Sequence, residues 1–294
     1  MTSRTIKLTC SRNVEPSPTA RRGRGAFTLI ELLIVIAVIA ILLSIMLPSL
    51  HLAKVRARTA ICKSNLRQLH VANSNYVSES QGYYVAAAPD MFDGFGGRLR
   101  WHGVRESETV DPDPAKNMFD PELGPLASSL ADGAVKECPE GTDFIREGAL
   151  NAFEASCGGY GYNMVGVGSQ VYKKGYCPEA IVAGMRACEI AQPAATVMFT
   201  DTAFIQGYNP QYLIEYSFCE PPSNVKPGLD GGVVESGRPS PSIHFRHGER
   251  ANVMWCDGHA SDERLSFSKL SDKTLAQFRI GWFGPERNEL FDPN

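Results

Sequence analysis

Residues 27–47 read FTLIELLIVIAVIAILLSIML, an apolar run broken by a single charge, Glu31, with Arg21, Arg22 and Arg24 just before it and Pro48 just after. At a rise of ~1.5 Å per residue this run forms a helix of about 30 Å, the hydrocarbon thickness of a bilayer. One membrane-spanning helix is expected. An ionised carboxylate inside a span costs roughly 2.5–3.5 kcal/mol on insertion scales, so Glu31 needs a cationic partner or must reach the nearby interface. A secretory signal peptide fits poorly. Its apolar region is about 7–15 residues long and ends at a small-x-small cleavage site, whereas Pro48-Ser49-Leu50-His51-Leu52 follows this longer run. A plain signal anchor fits the length and leaves Glu31 unexplained.

Residues 23–43, GRGAFTLIELLIVIAVIAILL, resemble the N-terminal class III signal of type IV prepilins and type II secretion pseudoprepilins. That resemblance implies a basic leader ending in Gly or Ala, a mature chain starting at Phe or Met, and a Glu at the fifth mature residue. Ala26-Phe27-Thr28-Leu29-Ile30-Glu31 meets the pattern when cleavage falls between Ala26 and Phe27. A cut after Gly25 would move Glu31 to the sixth position. Counting from Phe27 makes Pro48 the twenty-second mature residue, where many pilins carry a helix-kinking proline, and this favours the Ala26/Phe27 cut.

Through the resemblance, Phe27 is expected to be N-methylated by a prepilin peptidase/N-methyltransferase. Glu31 is then expected to pair with the N-terminal ammonium of a neighbouring subunit, although its own Phe27 amine, one helical turn away, could also serve. The implied partners are other pilin or pseudopilin subunits, an inner-membrane assembly platform and the lipid bilayer. The implied location is the inner membrane, single-pass, with the N-terminus cytoplasmic and the C-terminal domain outside.

Charge separates the parts. Residues 1–26 hold six Lys/Arg against one Glu, so a chain of net charge −3 is left at −8 beyond them. Lys54, Arg56, Arg58, Lys63 and Arg67 form a second basic patch without acids, which leaves residues 72–294 at −12. An acidic ectodomain argues against nucleic-acid binding, which needs a basic face. With both flanks of the span basic, orientation does not follow from the positive-inside rule. The patch itself reads as a solvated helix face or as a contact to anionic headgroups.

Beyond Pro48 the pattern stays helical. Leu50, Ala53, Ala57 and Ile61, then Cys62, Leu66, Leu69, Ala72 and Tyr76, recur at three- and four-residue spacing, and Gly82 offers a stop. One helix from about 28 to 80 is expected, its second half burying one stripe. The remaining residues suffice for one globular domain. Strands are expected at 98–102, 195–200, 242–246 and 251–256, a helix at 125–130 and an extended loop at 220–242. The expected fold is therefore α+β and pilin-like, a long N-terminal helix packed on an antiparallel β-sheet with long loops. Its segments are a leader (1–26), a transmembrane assembly helix (27–48), an amphipathic continuation (49–82) and a globular ectodomain (83–294).

In the segment IHFRHGERANVMWCDGHA, residues 243–260, two strands are expected to flank Gly248-Glu249-Arg250 as a hairpin. His247 with Asp257-Gly258 resembles the H-X9-DG motif of a large group of prepilin-like proteins. Cys62-Lys63-Ser64-Asn65-Leu66, Cys138-Pro139, Gly159-Tyr160-Gly161-Tyr162-Asn163 and the run ending at Asp201 match further landmarks of that group in order.

His244, His247, Asp257 and His259 are metal-ligand types, with His247, Asp257 and His259 the weak candidates. Three residues apart, His244 and His247 would face opposite sides of a strand. A turn-capping Asp257 with His247 bonded across the hairpin is the favoured reading, with no metal and no cofactor. Asp111, Asp113 and Asp120 lack the spacing of a calcium loop. Eight cysteines include Cys10 in the leader. Of the rest, Cys138/Cys157 and Cys177/Cys188 could close disulfide loops, and Cys62 and Cys256 read as buried small residues. No G-x-S-x-G, Walker A or strand-borne G-x-G-x-x-G occurs, so a structural subunit rather than an enzyme is expected. The rival is a bitopic envelope protein whose ectodomain binds a ligand or hydrolyses one.

Overall fold

The N-terminal periodicity is realised as α1, Leu29–Glu79, in a computed structural model. It describes residues 28–94, 96–107, 117–141, 144, 154–207, 211–227, 233–268 and 277–294. Pro48 lies inside α1, where it can offer no N–H to the Ser44 carbonyl. At the far end the Gly82 N–H donates to the Val77 carbonyl at 3.0 Å. Gly82 has φ +86, a left-handed conformation that glycine adopts without strain and that closes the helix.

The chain divides into two compact units, residues 1–50 and 51–294. Every described side chain of the first, from Thr28 to Leu50, is exposed. In the second, α1 buries Cys62, Asn65, Leu66, Leu69, Ala72 and Asn73, one helical stripe at three- and four-residue spacing. Arg58 and Lys63 pair with Glu140 (3.2 Å) and Asp262 (2.7 Å), so part of the basic patch is consumed within the ectodomain.

The described strands are β1 (Leu99–Arg100), β2 (Gly103–Arg105), β3 (Phe119–Asp120), β4 (Tyr160–Tyr162), β5 (Val197–Asp201), β6 (Phe204–Gln206) and β7 (Tyr212–Ile214). These continue with β8 (Asn224–Pro227), β9 (Val233–Ser236), β10 (Ile243–His244), β11 (Arg250–Trp255), β12 (Ala260–Arg264) and β13 (Ile280–Gly281). The main sheet runs β12-β11-β5-β4, antiparallel throughout. Its buried face carries Tyr162 stacked on Phe199 at 4.7 Å, against Trp101, Leu66, Leu69 and Met254. Asn65 and Asn73, two turns apart on α1, donate to the hydroxyls of Tyr160 and Tyr162, both at 3.0 Å, which fixes the register of helix on sheet.

Several expectations need correction. The hairpin expected around residues 248–250 does not form, because β10 pairs with β13 rather than β11. The true hairpin is β11–β12, turning at Asp257-Gly258. The loop expected at 220–242 contains the two-strand ribbon β8–β9. In place of a helix at 125–130 stand short 3₁₀ turns at Pro121–Leu123 and Ala127–Ser129. All seven described cysteines are free thiols, so neither expected disulfide is formed, while Cys62 and Cys256 are buried as expected.

Candidate functional site

Helix α1 begins with a reciprocal cap. The Thr28 N–H and hydroxyl both donate to Glu31 Oε2 at 2.8 Å, and the Glu31 N–H donates to Thr28 Oγ1 at 3.2 Å. This is a capping box, with Thr28 as N-cap and Glu31 as the third helical residue. Negative charge there also complements the positive end of the helix dipole. The Thr-x-x-Glu spacing was visible in the sequence, yet the role of Thr28 was not anticipated. Gly25, Ala26 and Phe27, the expected processing residues, lie outside the described residues.

A second constellation is buried in the ectodomain. Asp201 closes β5 and is wholly buried; its Oδ1 accepts from Arg246 Nη2 at 3.0 Å and its Oδ2 from the Asn252 N–H at 2.7 Å. His247 Nε2 lies 3.4 Å from both Asp201 Oδ2 and Cys138 Sγ. Cys62, from α1, completes a group of four buried side chains whose candidate ligand atoms all lie within 4.8 Å of one another.

Charge organises this group. Burial would raise the Asp201 carboxyl, but Arg246 and His247 hold it below the usual carboxylate range. Burial would lower His247, but Asp201 first and Cys138 second push it up to about 9. The hydrogen bond from Cys62 brings Cys138 down to about 5, against burial and with help from Arg246 and His247, while Cys62 is pushed up.

The sequence landmarks thus meet in one place. Cys62, Cys138, Asp201 and His247 come from four separate landmarks. Asn65 and Tyr160 bond to each other beside them, and the Gly159 carbonyl accepts from Arg246 Nη2. Asp201, Cys62 and Cys138 were legible only as isolated motifs, since their partners lie far away in the chain.

The set His244, His247, Asp257 and His259 is not brought together as a site. Strand β11 lies between His247 and Asp257, and five rises of ~3.3 Å put its end residues about 17 Å apart. His247 and Asp257 are therefore apart, and the bond His247 makes across the turn at 248–250 runs from its N–H to the Arg250 carbonyl at 3.0 Å. Asp257 caps its own turn as expected, Oδ1 accepting from the His259 N–H at 3.0 Å and lying 2.7 Å from His259 Nδ1. His244 sits against Phe144 and Arg246 Nη1, the latter at 3.2 Å. Asp120 caps a 3₁₀ turn through the Glu122 N–H, while Asp111 and Asp113 lie outside the described residues.

Elsewhere in the ectodomain a largely apolar cavity of about 470 Å³ is lined by Met91, Met164, Val165, Tyr176 and Phe218, with Arg100 and Glu154 at its wall.

Residues 21–47 match the family described as the prokaryotic N-terminal methylation motif. The type IV major pilin protein PilA of Myxococcus xanthus (strain DK1622) is 36% identical over 83 residues. These cover 26% of this chain and 37% of that protein, so the likeness spans little more than a third of the relative's length. No solved structure matches the chain. The family match ends at residue 47, so it does not extend to the H-X9-DG residues His247, Asp257 and Gly258. With the methylation motif laid over the start of α1, whose first half is apolar and exposed, the N-terminal segment is type IV prepilin-like and the chain is membrane-anchored.

Proposed function

We propose that this chain is a structural, non-enzymatic subunit of a type IV filament or type II secretion pseudopilus. A prepilin peptidase cuts it between Ala26 and Phe27 and methylates the new amine, and it assembles through residues 27–48. One observation carries the reading: the described side chains from Leu29 to Leu50 are exposed, an apolar surface that water does not tolerate and that a bilayer or a bundle of like helices covers. Glu31 gives the helix two states. In lipid its charge is met only by its own cap; in a filament the methylated ammonium of a neighbour satisfies it. The N-terminus faces the cytoplasm, the ectodomain lies outside the inner membrane, and the assembly platform draws the subunit from the bilayer.

Glu31→Gln separates charge from capping, because Gln at the third helical position preserves the capping box. Processing, read as the intact mass of the mature chain, should be unchanged while recovery in sheared filaments falls. Normal filament incorporation of the Gln variant, or a mature chain still starting at Met1, refutes the proposal. The apolar cavity favours a second role beside assembly, with the ectodomain binding a small, largely apolar ligand. Ligand-induced thermal stabilisation of the full chain, abolished by Val165→Arg, would support it.

A further inference from the structure

We propose that Cys62, Cys138, Asp201 and His247 form a closed four-ligand site for a divalent metal, zinc above others, that staples α1 to the ectodomain sheet. The donor set is two thiolate sulfurs, one imidazole nitrogen and one carboxylate oxygen, a combination that suits zinc and not the oxygen-seeking calcium or magnesium. Around a tetrahedral zinc, with sulfur at ~2.3 Å and nitrogen or oxygen at ~2.0–2.1 Å, ligand atoms stand about 3.3–3.8 Å from one another. The observed Cys138 Sγ to His247 Nε2 and His247 Nε2 to Asp201 Oδ2 separations are both 3.4 Å, and no pair exceeds 4.8 Å. Little movement is needed to close the polyhedron.

The surroundings orient the ligands as an outer shell does. Thr59 Oγ1 donates its hydrogen to the Val55 carbonyl at 3.0 Å, so toward His247 Nδ1, 3.4 Å away, it can only accept. That places a proton on Nδ1, so an entering metal ion displaces only the second proton, the one on Nε2 that faces Asp201 and Cys138, and takes up the lone pair it leaves. Asp201 is pinned through both oxygens by Arg246 and the Asn252 N–H. Charge also balances: two thiolates and one carboxylate are offset by a divalent cation and the Arg246 guanidinium, so the filled site buries no net charge. All four positions are taken by protein and all four residues are buried, which makes the site structural and leaves no open position for catalysis. Its ligands come from α1, the segment before β4, the end of β5 and the turn after β10, so one ion ties together elements that are distant in sequence.

The test uses the full chain, purified in detergent without chelators and analysed for metals by mass spectrometry. About one zinc per chain is expected, falling below about a tenth in Cys62→Ser and in His247→Gln and retained in Cys256→Ser, whose thiol lies outside the cluster. Should the ligand variants fail to fold, the wild-type chain reconstituted with cobalt(II) decides. Tetrahedral ligand-field bands with thiolate-to-cobalt charge transfer support the site, and a spectrum without them overturns it. Wild-type protein that carries no zinc and takes up none when zinc is added also overturns it, whether peptide mapping then finds free thiols or a Cys62–Cys138 disulfide.

Discussion

The sharpest stability test concerns Glu154, which is wholly buried beneath Arg100. Arg100 Nε donates to both carboxylate oxygens at 3.1 Å, Nη2 donates to Oε1 at 2.9 Å, and the Ser217 hydroxyl donates to Oε2 at 2.5 Å. Burial alone would raise this carboxyl; Arg100, with His102 beside it, overrides that and holds it down at about 2 against 4.5 for an exposed glutamate. At 1.36 kcal/mol per pH unit, that depression corresponds to about 3 kcal/mol of stability. A depressed carboxyl contributes fully above its unfolded value and loses the contribution as pH falls through its folded one. The loss should therefore run from about pH 5 down to about pH 2.

Glu154→Gln keeps the shape and leaves the buried guanidinium uncompensated, a change that costs about 3–5 kcal/mol. The two figures agree. Guanidinium unfolding of the full chain in detergent, followed through buried Trp101, whose Nε1 donates to the Ser217 carbonyl at 2.8 Å, should show a gap between wild type and variant of about 3 kcal/mol at pH 6 that closes by pH 2. His102 is held below 6.5 chiefly by burial and so costs both proteins stability as pH falls below about 6.5, which is why the quantity read is the difference between the two proteins at each pH. A gap that stays constant with pH, or one under about 1 kcal/mol at pH 6, refutes the reasoning.

Thr28→Ala removes the cap but not the charge of Glu31. It should fray the first turn at a cost of about 1 kcal/mol, read as amide exchange at residues 29–31, while filament recovery stays well above that of Glu31→Gln; equal loss would make capping the whole of the Glu31 role. Gly161→Ala should lower stability by about 2–3 kcal/mol, because a Cβ there would collide with the Thr202 side chain and stand 2.7 Å from the Phe218 carbonyl carbon; an unchanged denaturation midpoint would refute the crowding. Asn73→Ala strands the Val85 N–H, which donates to Asn73 Oδ1 at 3.0 Å, and removes the donor to Tyr162. A loss of about 1–3 kcal/mol should appear in the same unfolding assay.

What the sequence disclosed depended on how far apart the interacting residues lie. Helix α1 was legible along its length, because its apolar spacing, Pro48 and Gly82 act over a few residues. For the same reason the Asp257 turn cap was legible, since its partner His259 is two residues away. The strand at ATVMFT was found, but its neighbours were not, because β5 pairs with β4 on one side and β11 on the other across long stretches of chain. Grouping His247 with Asp257 followed sequence proximity. The intervening strand makes near residues distant, just as folding makes the distant Asp201, Cys138 and Cys62 near. Gly161 belongs to a landmark whose need for glycine is invisible in the sequence because it is steric: the Thr202 side chain and Phe218 backbone occupy the space where a side chain would stand. The ectodomain landmarks are thus physically one object. Cys62 and Asn65 from α1, Tyr160 from β4, Asp201 from β5 and His247 from the turn after β10 stand around a single buried point. A substitution at any of them should be felt by the others: the loss from Asp201→Asn and His247→Gln combined should fall short of the sum of the two single losses.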